Sequence, residues 1–322
     1  MPDHEHQIPS HEHRVPIPAV MNVAEFMKRF ANHEACFEHL KATRWGSDLQ
    51  RFVCPECGHS RGWWLARRQL VECCDCHRQT SVTAGTVFHR RRSPLWKWFW
   101  AIYQLAQDKK GVAALELAKQ VSVSYATAWL MLHKLRRAMR RRDERYVLQG
   151  LVEVDETYVG GRAEGTVGRG AAKKTPVAVA LELRADGKPG HVAMRSIARP
   201  DGHCLRRFAQ DKIRKGAHLR TDGWGAYRRV ARVGYRHKAI VTGGGKAAAE
   251  TFPWLHTFIA NMKRMLLGTY HSVSAKHLDN YLSEFDYRTN RRWLEANLFD
   301  RLLHAALETK AVTNRELVAG AS

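Results

Sequence analysis

The stretch Leu151–Gly161, LVEVDETYVGG, places three carboxylates, Glu153, Asp155 and Glu156, among apolar and β-branched residues. An unpaired carboxylate is costly to bury, so acids in a strand-like segment imply something that neutralises them. Carboxylate oxygens suit hard divalent cations such as Mg2+ or Mn2+. Strand alternation puts Glu153 on the face of Asp155 and Glu156 on the other. A short later run, AHLRTDGW, ends in Asp222 where a strand should stop. Further on, FPWLHTFIANMKRMLL reads as a long helix, on which His256 and Lys263 are seven residues apart. That is two helical turns, so both side chains approach one place. A neutral imidazole can ligate a metal through one nitrogen near pH 7.

The cysteines carry a second chemistry. There are seven, five of them between Cys54 and Cys76. Cys54 and Cys57 form one C-x-x-C turn, and Cys73 and Cys76 form another. Two such knuckles supply four thiolates to one tetrahedral Zn2+, a closed and therefore structural site. Cys74 and His77 are the competing ligands within the second knuckle. An odd count with local clustering points to a reducing compartment and a metal site, not a disulfide framework.

The elements that must hold these residues change character along the chain. VAEFMKRFANHEACFEHLKATRWG has the apolar spacing of one or two short helices, and GWWLARRQLVE between the knuckles suits a hairpin. SPLWKWFWAIYQLAQDKKG is apolar on nearly all sides, as a buried helix is. A helix over about Ala113–Gln120, a turn, and a second helix capped by Ser124 have helix-turn-helix spacing. Ser124, Tyr125 and Thr127 would face a major groove, while His133, Lys134, Arg136 and Arg137 would reach phosphates. From Gly150 the pattern becomes β-β-β-α-β-α-β, with Asp186–Gly187 as a hairpin turn between the second and third strands.

Lys plus Arg number 53 against 31 Asp plus Glu, a formal charge of +22 and a pI of about 10.1. Such an excess favours a polyanionic partner. No apolar run approaches the ~20 residues of a membrane span, and no signal peptide is visible. The His- and Pro-rich first twenty residues read as a disordered tail.

From about Val23 to Arg292 the chain resembles the DDE-type bacterial insertion-sequence transposases that bear an N-terminal zinc ribbon. The resemblance rests on the ribbon followed by TAGTVF, on VDETYVGG, on TDGWGAY and on LLGTYHSVSAKHLDNYLSEFDYRTNRR, in that order. It implies an RNase H-like α/β domain with a mixed five-stranded sheet, in which the first and fourth strands are neighbours and Asp155 meets Asp222. It further implies Asp155 and Asp222 as metal-binding acids and, from the last helix, a third ligand seven residues before Lys263. Many relatives have Glu there; this chain has His256, with Asn261 and Glu250 as fallbacks. Histidine adds no negative charge and is softer, which favours Mn2+.

The expected organisation is a tail (1–20), a zinc-ribbon module (21–92), a helix-turn-helix domain (93–148), the RNase H-like catalytic domain (149–300) and a C-terminal helix and tail (301–322). The expected activity is cleavage and strand transfer at the terminal inverted repeats of an insertion sequence, with two divalent ions about 3.5–4 Å apart. The alternatives are a catalytically inactive DNA-binding regulator and a nuclease that cuts without joining. Partners would be double-stranded DNA and at least one further copy of the chain, without membrane, with the protein in the bacterial cytoplasm and associated with the nucleoid.

Overall fold

The computed structural model describes residues 20–107, 109–160, 174–241, 250–293 and 295–320. The expected tail, save its last residue, and most of the Gly-rich loop GGRAEGTVGRGAAKK lie outside the described residues.

Two short helices open the fold, α1 (Val23–Arg29) and α2 (His33–Trp45), capped by the side chains of Asn22 and Asn32. Next come β1 (Gly62–Leu65), β2 (Leu70–Cys73) and β3 (Gln79–Ser81), an antiparallel sheet in that order. Helices α3 (Leu95–Gln107), α4 (Ala114–Val121) and α5 (Tyr125–Asp143) follow. Ser124 caps α5 by accepting the Thr127 N–H at 3.2 Å. These elements share one core: Phe30, Leu40, Val71, Phe99, Leu117 and Leu132 belong to a single buried cluster. A helix from the far end of the chain, Leu298–Glu308, enters the same cluster through Phe299, Leu302 and Leu303.

The second sheet is built from β4 (Leu151–Val159), β5 (Thr175–Leu183), β6 (Pro189–Ser196), β7 (His218–Asp222) and β8 (Arg236–Ile240), with α6 (Gly202–Lys212) and α7 (Arg228–Ala231) between strands. Its order is β6-β5-β4-β7-β8. The β4–β5 and β5–β6 pairs are antiparallel, and β4–β7 and β7–β8 are parallel. This is the mixed five-stranded sheet expected, with the first and fourth strands adjacent. The Asp186–Gly187 turn joins β5 to β6, with Gly187 at φ 73°, a conformation that glycine adopts without steric cost.

Helices cover both faces. Val177, Val179, Leu181 and Met194 pack against α8 (Pro253–Met265) and α9 (Ala275–Thr289), whereas Val152, Val154 and Ala180 pack against Leu205 and Phe208 of α6. Between α8 and α9 the chain makes one π turn, Leu266–Tyr270. The C-terminal part comprises α10 (Leu298–Glu308) and α11 (Asn314–Ala319), the latter opened by a Thr313–Glu316 capping box.

Helix α9 also packs on α5, and the side chains there correct one expectation. Arg136, expected to reach DNA phosphate, is 1% exposed, and its Nε donates to Glu284 Oε2 at 2.7 Å. Its guanidinium lies 4.3 Å from the Tyr281 ring centre and 5.0 Å from that of Tyr270, whose hydroxyl donates to Glu284 Oε1. A side chain so enclosed cannot touch a nucleic acid. His133, one turn before, is equally buried, its ring stacked on Trp129 at 3.8 Å and its Nε2 3.3 Å from the Tyr281 hydroxyl.

Burial, then the nearby Arg136 and His277, push the His133 pKa down to about 2 from an ordinary 6.5. Between those values the unfolded chain binds the proton that the folded chain refuses, so this contribution to stability is complete above pH 6.5 and declines as pH falls. Thermal or urea unfolding is expected to show a loss of up to about 1.4 kcal/mol per pH unit from this group between pH 6 and 5, with a shallower slope in His133→Asn.

Candidate catalytic centre and zinc site

The ribbon sequence folds as its spacing requires. The Sγ atoms of Cys54, Cys57, Cys73 and Cys76 all lie within 4.8 Å of one another. Cys54–Cys76 and Cys57–Cys73 are each 3.5 Å apart. Zn–S bonds of about 2.3 Å in a tetrahedron set sulfurs about 3.8 Å apart, so the four thiols fit Zn2+. The Cys57 backbone N–H is the main influence lowering the Cys54 thiol to about 6, while burial and neighbouring sulfurs raise the Cys57 and Cys76 thiols, so metal binding must displace protons from the cluster. Cys74 is not in the cluster, and His77 lies beside Glu72 at 3.7 Å instead. Phe52, Val71 and Cys73 are also core residues, so the ribbon is not an appendage. Purified protein is expected to carry about one zinc per chain. Cys73→Ser or a strong chelator should release it and raise amide exchange across β1–β3, measured by mass spectrometry.

The acids occupy the other sheet. Val152 and Val154 of β4 point to α6, so Glu153 and Asp155 point to α8. The β4–β7 register pairs Val152 with Leu219 and Glu153 with Arg220. Continued two residues beyond that ladder, the register would set Asp155 level with Asp222 on the adjacent strand. Asp155 Oδ1 accepts the Glu156 N–H at 2.8 Å, and Asp222 Oδ1 accepts the Trp224 N–H at 3.0 Å. From α8, His256 Nε2 comes to 4.0 Å from Asp155 Oδ2. All three side chains are partly open to solvent.

Charge in this corner is mixed. Burial, then Lys263, lowers the His256 pKa, so the imidazole is neutral at pH 7. Burial, then Lys174, lowers Lys263, while Asp155 opposes them. Thus Asp155, His256 and Lys263 lie in one another's field. Two carboxylates and a neutral imidazole, partly open to solvent and converging from two strands and a helix, fit a divalent cation. Among the described residues they are not drawn as tightly together as the four cysteines. The two fallback ligands are placed elsewhere: Asn261 accepts from Arg264 on another side of α8, and Glu250 is exposed ahead of that helix.

The sequence did not single out Arg220 and Tyr227, which support this corner by pairing with Glu153 and Glu156. Glu153 is buried and paired with Arg220 at 3.3 Å. Burial raises its pKa, and Arg220 opposes the rise. On the opposite face Glu156 accepts from the buried Tyr227 hydroxyl at 2.8 Å. Burial, then Glu156, drives that phenol well above its ordinary value, so it remains a donor. Arg220 could have been found by its alternation with Asp222 on β7; Tyr227 had no local signal.

Of the expected DNA-contacting residues, Ser124 and Tyr125 are exposed and Thr127 half-buried at the start of α5. Lys134 is half-buried, its Nζ 6.0 Å from the Trp98 ring centre. Arg137 is half-buried and shares a surface hollow with Arg141, Arg142 and Arg145. Part of that basic run is neutralised within the protein, as Arg140 and Arg141 pair with Glu144, and Arg145 with Glu308.

A five-stranded mixed sheet with an acid in the middle of β4 and another at the end of the adjacent parallel β7 defines an RNase H-like domain, here joined to a four-cysteine ribbon. Residues 147–290 match the ISXO2-like transposase domain, and residues 31–79 match the transposase zinc-ribbon domain. Together they take in more than half the chain, which belongs to this zinc-ribbon transposase family. No curated protein matches it. Among solved structures, the simian T-cell lymphotropic virus intasome in complex with PP2A regulatory subunit B56 gamma is similar at 14% identity and a TM-score of 0.27. The match covers 54% of this chain and 63% of that one. The Mos1 transposase paired-end complex with left transposon end is similar at 12% identity and a TM-score of 0.25, over 66% of this chain and 79% of that one. The Mos1 mariner paired-end complex with Mn gives the same figures. Among the described residues no helix is long and apolar enough to cross a membrane.

Proposed function

We propose that this transposase binds the terminal inverted repeats of its insertion sequence and catalyses strand cleavage and strand transfer on DNA. The observation that carries the reading is the approach of His256 to Asp155, 4.0 Å, beside Asp222 on the adjacent strand. Asp155, Asp222 and His256 would hold the divalent cation, Mg2+ or Mn2+. When bound, it supplies Lewis-acid stabilisation of the charge that develops on the transferring phosphoryl group.

The chain's own groups do the rest. The backbone N–H groups of Glu156 and Trp224 donate to the two carboxylates and orient them. His256 stays neutral, which leaves a ring nitrogen lone pair available for a ligand bond. Lys263 adds a positive charge near Asp155, where the scissile phosphate would lie. The ribbon and the exposed N-terminus of α5 would recognise the repeats through Ser124, Tyr125 and Thr127. Of these Tyr125, 57% exposed, is the freest to contact a base, since the Ser124 hydroxyl caps the helix. Lys134 and Arg137 remain candidates for phosphate contacts; Arg136 does not. Joining two ends would require a dimer or higher assembly. The module boundaries given above are kept as a proposal, with the ribbon, the helix-turn-helix and the C-terminal helix sharing one core and the five-stranded sheet packed in two clusters of its own.

The test is strand transfer by the purified protein, with labelled end DNA and a plasmid target, in Mg2+ and in Mn2+. Joined product supports the reading. Specific binding of ends without cleavage in either metal would instead favour a regulator derived from a transposase, and cleavage without joining a nuclease.

A further inference from the structure

Helix α8 has two functional faces. His256 and Lys263 turn toward the sheet acids. The opposite side, with Trp254, Asn261 and Arg264, forms one wall of a cleft of about 920 Å3. The β5–β6 turn and the C-terminal ends of α3 and α9 form the others. Seven Lys and Arg side chains line this cleft, and no Asp or Glu among the described residues does. Lys109, Lys110, Arg184, Lys188, Arg264 and Arg292 come from four separate segments. Asp186, just outside, lies 3.7 Å from both Arg184 and Lys188 and offsets only part of this charge.

Two indoles stand at the rim: Trp254 is 43% exposed and Trp293 is 66% exposed. The Arg292 guanidinium sits 4.9 Å from the Trp293 ring centre and is itself fixed by the carbonyls of Pro189, Gly190 and Thr289. The indole is therefore mounted on a rigid support while most of its surface faces solvent.

We propose that this cleft binds a single-stranded segment of DNA. Cations from several elements track a phosphate backbone, and rigid exposed aromatics stack unpaired bases, whatever their sequence. Bases in a duplex are already stacked, so a duplex would use the cations and leave both indoles idle. A second copy docking here through the same face would oppose seven cations to seven more, a costly juxtaposition. The cleft is about one helix diameter, roughly 10 Å, from the acids across α8. A strand freed by cleavage at Asp155 therefore has a short path to it. The inference rests on the chain being a DNA-handling protein but not on chemistry at Asp155.

The test uses the full chain carrying Asp155→Ala, so that no probe is cut. Fluorescence anisotropy would compare labelled oligothymidine with a duplex of equal length. Trp293→Ala is expected to weaken oligothymidine binding about tenfold or more and to leave the duplex almost unaffected, with Trp293→Phe retaining most of the affinity. Arg184→Gln with Lys188→Gln should weaken oligothymidine and flatten its salt dependence. Unchanged oligothymidine affinity in Trp293→Ala, equal loss on both probes, or an altered sedimentation mass as the sole change would each overturn the proposal; the last would make the face a contact between copies. If the indole effect holds while the wild-type chain joins no ends, only the catalytic reading fails.

Discussion

Asp155→Ala is expected to cut strand joining about a thousandfold or more while end binding stays within about twofold. Asp155 is at the centre of the corner: Asp222 stands level with it on the next strand and His256 approaches it from α8. Its removal leaves one carboxylate and one neutral ring, too little charge to retain a hard divalent ion. The loss is several kcal/mol of charge stabilisation at the phosphoryl group, and each ~1.4 kcal/mol is tenfold in rate. Gel-resolved joining and anisotropy on the same preparations separate chemistry from binding. Equal loss of both would mean that the substitution had disrupted the sheet.

His256 should give the joining reaction its own dependence on pH and metal. His256→Ala should lose roughly ten- to a hundredfold in joining, and His256→Glu should shift the preference from Mn2+ toward Mg2+. The imidazole must be neutral to ligate, and its pKa is lowered by burial and by Lys263. Activity should therefore fall with its midpoint below the ordinary histidine value of 6.5. A wild-type profile that already falls near pH 6.5 and is unchanged in His256→Glu would remove His256 from the role.

Arg136→Met is expected to lower the melting temperature by roughly 10 °C, because removing one partner of a buried ion pair costs about 3–5 kcal/mol. Glu284 is fully buried, and its carboxylate accepts from Arg136 and from Tyr270. Without Arg136 it is left with the phenol and a more distant guanidinium, Arg288 at 3.9 Å. Arg136→Met with Glu284→Leu removes both charges and should recover most of the loss, the signature of a buried pair and not of a misplaced backbone. Differential scanning fluorimetry on the two single variants and the double one decides it. The pair joins α5, which begins with the expected DNA-reading residues, to α9, which packs on the five-stranded sheet. Arg136→Met should also reduce joining more than end binding.

How much was legible in the sequence follows from the range of the interactions. The zinc site needs two C-x-x-C turns, each closed within four residues and separated by a hairpin, so residue spacing alone specified it. The caps at Ser124 and the Asp186–Gly187 turn are equally local. The alternation that turns Glu153 and Asp155 one way and Glu156 the other is a property of a single strand. None of these depends on the rest of the chain.

Tertiary structure decided whatever depends on distant partners. The basic run from Arg136 to Arg145 reads as one DNA-facing surface, yet Arg136 finds Glu284, 148 positions later, and turns inward. No local pattern distinguishes it from Arg137, because an arginine's environment is set by the helix that packs on it. In the same way, only the parallel pairing of β4 with β7 brings Asp155 level with Asp222, and only the packing of α8 on the sheet brings His256 to Asp155. The return of α10 to the N-terminal core likewise follows from the closing of the fold, since its apolar face could have been buried against any complementary surface. The chemistry available to this protein was written in its residue types and their spacing; the sharing of that chemistry among particular side chains was settled by which buried groups found partners.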